Sequence, residues 1–243
     1  MLQRIEICGI PLDCVDMQSA VQFVDKTIRD NEKCSIFAVN PEKVIAARRN
    51  EELRNLLASS ELLIPDGIGV VLAAKLQGAM INERVPGCEL AIELCKLAEL
   101  NKYKVYLLGA SESTNKSAVS KLLDKYPELN IVGQRDGYFS EDERENIINE
   151  INQSNANIVL VALGSPKQEL WIKSNQSELD ANILQGIGGT LDVIAGNVTR
   201  APYIWRKFNL EWLFRLLCQP GRILRQKALP EFIWRVVVEQ LKR

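Results

Sequence analysis

Histidine is missing altogether from these 243 residues. With it goes the one side chain whose ordinary pKa lies near neutrality, so a general base here has to be Asp or Glu, and histidine-containing zinc sets cannot be built. Six cysteines, at positions 8, 14, 34, 88, 95 and 218, make no C-x-x-C pair. They read as reduced, mostly buried small hydrophobes rather than redox or metal groups. No basic-then-apolar leader opens the sequence, and no apolar run approaches the ~18 residues of a spanning helix. The protein is therefore expected to be made in the cytosol and to stay on that side. Absent too are a G-x-G-x-x-G after the first strand, a G-x-x-x-x-G-K-[ST] loop and an Asp-x-Asp pair. The standard dinucleotide, P-loop and metal–diphosphate readings lose their support. No cofactor, metal or nucleic-acid partner is expected.

What is present divides in two. Hydrophobic residues make up 47% of the chain, enough for one large core or a core plus a small appendage. The formal charge of −1 conceals ten Lys/Arg against three Asp/Glu from Arg200 onward, and twenty against twenty-eight before it. The same basic stretch holds seven of the fifteen aromatics. An acidic body, residues 1–197, is expected to carry a basic, aromatic-rich, helical C-terminal appendage, residues 198–243.

In the body, short β-rich runs at 4–8, 34–39, 61–65, 103–108, 129–134, 157–163 and 181–186 alternate with helical periodicity. The helical stretches are 16–29, 41–58, 67–77, 87–100, 114–125, 141–152 and 167–177. This is the pattern of an α/β fold: a Rossmann-like layered, mostly parallel sheet with helices on both faces. The unusual residues then fall in one place. Asn40, Asp66, Gly109, Gly137, Gly164 and the pair Gly188–Gly189 each follow a predicted strand. In a parallel sheet those carboxyl ends share one edge, where ligands bind and helix N-termini point. Asp66 would stand on the rim of that crevice.

Each feature also has an ordinary explanation. Asp66 before a helix is usually an N-cap, and glycines often only end strands. "SPKQELWI" could be an amphipathic helix with Gln168 and Glu169 facing solvent. The joint order of eight segments weighs against these: "VNPEKV" (39–44), "PDGIGVV" (65–71), "ERVPG" (83–87), "YLLGAS" (106–111), "DGYF" (136–139), "LGSPKQELWI" (163–172), "GIGGTLDVIAGNVTRAP" (186–202) and "NLEWLFRLLCQPGRILR" (209–225). With them the sequence resembles the WecG/TagA/CpsF glycosyltransferases, and within these the N-acetylmannosaminyltransferase branch. The resemblance implies metal-independent transfer from a UDP-sugar donor to a polyprenyl-diphosphate-linked N-acetylglucosamine at the inner face of the membrane.

It also implies roles. Asp66 matches the family's favoured catalytic base, Arg84 and Gln168 would hold substrate, and Asn40 would contact the sugar or the acceptor. Gly109, Gly137, Tyr138, Gly164, Glu169 and Asp192, in the matching segments, complete the expected substrate-binding set. Where the family commonly has threonine two residues before the asparagine, this chain has Ala38.

Without a metal, the negative charge on departing UDP falls to helix N-termini and arginines, and Arg215, Arg222 and Arg225 lie in the family-like part of the tail. The same arginines could instead form a lipid-facing surface. Helices expected at 203–217 and 230–241 carry apolar stripes beside basic residues, which suits peripheral docking on an anionic membrane surface. Off the membrane, the apolar face would be hidden by self-association into a homo-oligomer or left mobile.

Overall fold

A computed structural model describes residues 2–208, 210–218 and 227–241. Its centre is a six-stranded sheet with every neighbouring pair parallel. The strands are β3 (Cys34–Val39), β4 (Leu62–Pro65), β5 (Lys104–Gly109), β6 (Asn130–Arg135), β7 (Ile158–Ala162) and β8 (Ile183–Gly186), in spatial order β4-β3-β8-β7-β5-β6. Strands covered on both faces need apolar side chains throughout, and "IVLVA" of β7 is buried at every position. The edge strand β6, "NIVGQR", is only half-buried.

A separate antiparallel hairpin joins β1 (Arg4–Ile7) to β2 (Ile10–Asp13). The turn between them uses Cys8 and Gly9, both at positive φ. Asp13 fastens this hairpin to the sheet: its carboxylate is paired with Arg4 at 2.7 Å and accepts the Leu63 N–H at 2.7 Å.

Two apolar cores follow, one on each face. One lies under α1 (Met17–Arg29), α5 (Gly87–Asn101), α6 (Glu112–Lys125) and α9 (Thr190–Ala195). The other lies under the hairpin and α2 (Pro41–Arg49), α3 (Glu51–Ala58), α4 (Ile68–Leu76), α7 (Arg144–Ser154) and α8 (Lys167–Asn175). The continuous helix expected over 41–58 is two helices. Asn50 adopts an extended conformation and its side chain caps α3 by accepting the Leu53 N–H at 3.0 Å, so local capping outweighs the periodicity. The Ser140–Glu143 capping box is present, opening a short 3₁₀ turn ahead of α7. The hairpin's second strand and α9 are elements that the periodicity does not reveal.

The chain beyond Ala201 adds α10 (Tyr203–Lys207), α11 (Glu211–Cys218) and α12 (Ala228–Leu241). α12 packs on α2 and α4, and its Phe232 and Val236 belong to the second core. Phe232 sits over Gly69, where an added Cβ would lie 3.6 Å from its ring and 2.7 Å from Pro41 Cγ. Polar contacts fasten the flank of α12: Glu231 pairs with Arg49, and the Cys8 N–H donates to Glu239 Oε2 at 2.9 Å. One residue on from Phe232 and Val236, around the helix, Ile233 and Val237 are exposed, as is Leu241.

Candidate functional site at the carboxyl edge of the sheet

All six parallel strands deliver their carboxyl ends to one rim. Helices α2 and α8 leave β3 and β7 toward one face, whereas α9 and α6 leave β8 and β5 toward the other. The order of the sheet therefore has crevices between β3 and β8, between β8 and β7 and between β7 and β5, the places where open α/β sheets take ligands.

The first cluster lies at the ends of β3 and β4. Asp66 follows β4 directly, and its N–H donates to Val39 O at 2.8 Å, which ties it to the end of the neighbouring strand. The residue is half-buried. Gly67, at φ +114°, takes the N-cap position of α4, one residue beyond Asp66. Asn40 caps a helix: its Oδ1 accepts the Lys43 N–H at 2.8 Å. An added Cβ on Gly67 would lie 3.9 Å from Asn40 Cβ, so the two segments touch. Arg84 is brought in by the 83–86 loop, whose Val85 N–H donates to Pro65 O at 2.7 Å. Its Nη1 lies 3.4 Å from Glu211 Oε2 at the start of α11, with both side chains largely buried. The tail thus reaches the rim. Ala38 faces the start of α5, with 3.3 Å between its Cβ and a Cβ built on Gly87.

The second cluster lies at the ends of β5, β6 and β7. Gly109, at φ +124°, passes so close to β7 that an added Cβ would fall 2.4 Å from Ala162 O. Gly137 allows a similar approach, since its Cβ would meet Leu163 Cδ2 at 2.8 Å. These two glycines let backbones close on one another, which shapes the rim whatever binds there. Tyr138, beside them, is 83% exposed. Gly164, at φ +76°, has open space where a side chain would be. Asp192 is half-buried in the first turn of α9, and its carbonyl accepts the N–H groups of Asn197 and Val198.

Between the clusters lie Gln168 and Glu169, buried at 4% and 0% exposure, so the solvent-facing alternative for this helix does not hold. Gln168 Oε1 accepts the Gly188 N–H at 2.8 Å, and its Nε2 donates to Glu169 Oε1 at 3.1 Å. Glu169 Oε1 also meets Lys43 Nζ at 2.6 Å. Lys43 and Glu211 are the residues that motif reasoning passes over. The available signal for Lys43 is a cation in the first turn of a helix, the wrong sign for the dipole. Of the tail arginines, Arg215 lies on α11 with only its backbone described, and Arg222 and Arg225 lie outside the described residues.

Electrostatics narrow the chemistry. Burial pushes the Cys8 thiol up to about 11 and the Cys95 thiol up to about 12, so both stay protonated at neutral pH and make poor nucleophiles. By contrast, the residues at the N-cap positions of α4, α5 and α8, which are Gly67, Pro86 and Pro166, supply no side-chain capping bond of their own. Such helix ends attract phosphate oxygens.

A parallel α/β sheet with a carboxylate and helix N-termini gathered on one edge has the layout of an enzyme site. The chain belongs to the WecG/TagA/CpsF family of glycosyl transferases, whose pattern matches residues 5–243. It is 32% identical over 241 residues to the N-acetylglucosaminyldiphosphoundecaprenol N-acetyl-beta-D-mannosaminyltransferase of Staphylococcus aureus (strain MRSA252), covering 98% of this chain and 94% of that one. The protein of the same name from Bacillus subtilis (strain 168) is 33% identical over 240 residues, covering 98% and 93%.

Proposed function

We propose that this glycosyltransferase moves N-acetylmannosamine from UDP-N-acetylmannosamine to the 4-hydroxyl of N-acetylglucosamine on undecaprenyl diphosphate, the linkage unit of wall teichoic acid. A related transfer with another UDP-sugar is the alternative. The observation that carries the reading is the placement of Asp66 against the end of β3, beside Asn40 and the Arg84 loop, in a chain alignable over nearly its whole length with transferases of that name.

The chemistry is a single displacement with inversion. Asp66 takes the proton of the acceptor hydroxyl as its oxygen attacks the anomeric carbon; the bond from that carbon to the UDP oxygen breaks, and the electron pair leaves with UDP. Asn40 and Gln168 orient the reacting sugars. The N-terminal N–H groups of α4, α5 and α8, together with one or more of Arg215, Arg222 and Arg225, balance the charge growing on the diphosphate. No metal is required in this scheme.

The acceptor's lipid brings the reaction to the bilayer. No helix among the described residues is long and apolar enough to cross a membrane. Instead, Leu72 and Leu76 of α4, Met80 beyond it, Phe208 and Trp212 of the tail, and Ile233, Trp234 and Val237 of α12 are all exposed. With the basic tail, these favour peripheral attachment to the inner face of the cell membrane, the 198–243 segment acting as the docking unit.

The test is sugar transfer to a soluble short-chain lipid-diphosphate acceptor, comparing wild type with Asp66→Asn. The amide keeps the size but cannot accept the proton, so the variant should fold, bind UDP and lose roughly 100-fold or more in rate. Turnover close to wild type would sink the assignment of the base.

A further inference from the structure

Lys43 and Glu169 stand 126 positions apart in sequence and form an ion pair at 2.6 Å with side-chain exposures of 7% and 0%. Burying two charges in an apolar layer is costly, and pairs of this kind seldom stabilise a fold better than well-packed apolar residues would. Lys43 is also set against local preference, because it occupies the first turn of α2, where the helix dipole disfavours a cation. A pair that violates both rules is expected where function compensates for it.

Its connections show which function. Lys43 is the residue whose N–H is held by the Asn40 side chain at 2.8 Å. Glu169 Oε1 accepts from Gln168 Nε2 at 3.1 Å, and Gln168 Oε1 in turn holds the Gly188 N–H at 2.8 Å. A Cβ on Gly186 would lie 2.8 Å from Gln168 Nε2, so a side chain there would push the amide out of its place. One chain of contacts thus links the carboxyl ends of β3, β7 and β8, through two ions and two of the residues assigned to substrate.

We infer that Lys43 and Glu169 are a positioning pair, which locks Asn40 and Gln168 at a fixed separation on the rim and so sets the rate of sugar transfer rather than the affinity for UDP. The inference rests on the transfer reading above. Neither ion touches substrate in this scheme. Lys43 fixes α2 and its cap, and Glu169 fixes the amide plane of Gln168.

The experiment is a double variant, Lys43→Met with Glu169→Gln, which removes both charges together, strands no lone ion and leaves Gln168 an acceptor. Thermal unfolding, UDP affinity by calorimetry, and kcat and donor KM with the soluble acceptor are measured on the full chain. The expected result is a Tm close to that of wild type, UDP affinity and donor KM changed by less than about threefold, and kcat lowered by roughly 10- to 100-fold, the scale on which misplacing a reacting group acts. A double variant with wild-type kcat would overturn the proposal. So would failure of that variant to fold, because stability would then be the purpose of the pair. A fall in UDP affinity matching the fall in kcat would also overturn it, placing the pair in the nucleotide site. Wild-type turnover separates this from the parent reading: an inactive wild type defeats the transfer assignment, whereas an active wild type with an equally active double variant defeats only the pair.

Discussion

Truncating Phe232 to Ala should free α12 from the body without unfolding the body. The ring is 3% exposed and lies over Gly69, on α4, and it shares the notch with Pro41 of α2. Cutting a buried Phe to Ala costs roughly 3–5 kcal/mol when the site cannot collapse. Gly69 offers no side chain to fill the gap, so the cost should fall near the top of that range. The remaining ties are weaker: the Arg49–Glu231 pair is exposed on its arginine side, and Val236 is a smaller anchor. At ~1.4 kcal/mol per decade, local opening of residues 228–241 should rise roughly 100- to 4,000-fold. Native-state hydrogen exchange read by peptide mass spectrometry measures it directly. Peptides from β3, β7 and β8 should keep wild-type protection, and Ile233→Ala, at a position 60% exposed, should change neither set. Unchanged protection of 228–241 in Phe232→Ala would refute the packing argument. Equal loss across the central strands would refute the claim that α12 opens alone.

Two further outcomes are expected. Ala38→Thr places a hydroxyl beside the start of α5, where Gly87 leaves room, and turnover should rise; equal rates for the two chains would show the hydroxyl to be dispensable. Treatment with EDTA should leave transfer intact, and activity abolished by chelation and restored by a divalent ion would defeat the metal-free scheme.

Much of this architecture is legible in the residues alone, for identifiable reasons. β3 is bounded at 34 and 39 because an apolar run ends at an Asn-Pro, which caps and starts a helix in three residues. The positions of Asn40, Asp66 and the glycines follow from the same logic: Asn40 and Asp66 come directly after strands, Gly109 ends β5, and Gly137, Gly164 and Gly188 lie two residues past β6, β7 and β8. Strand order is less accessible, because parallel neighbours are chosen by how helices share the two faces rather than by the strands themselves. The β1–β2 hairpin hides behind a turn made by Cys8 and Gly9, outside the usual Asn-Gly signal, and a Pro11 that argues against a strand. α9 is too short, at six residues, for periodicity to register. At the site, Lys43 and Glu169 sit on separate helices, and a single sequence carries no sign that they meet. Glu211 is similar: an acid in a basic tail looks like surface until Arg84 is found opposite it.

The contact between Cys8 and Glu239 spans 231 positions, so it forms only after nearly all of the described chain has been synthesised. A nascent chain that has emerged as far as β8 owns every strand of the sheet, yet the patch around Gly69 and Pro41 that will receive Phe232 is still bare. The hairpin turn gains its contact with α12 only after β8 has been made. During that interval the recess that will receive Phe232 is uncovered, and slowing translation after β8 would lengthen the exposure. A stop codon between β8 and α12 would release a molecule with a complete sheet and an uncovered notch, prone to associate with others of its kind.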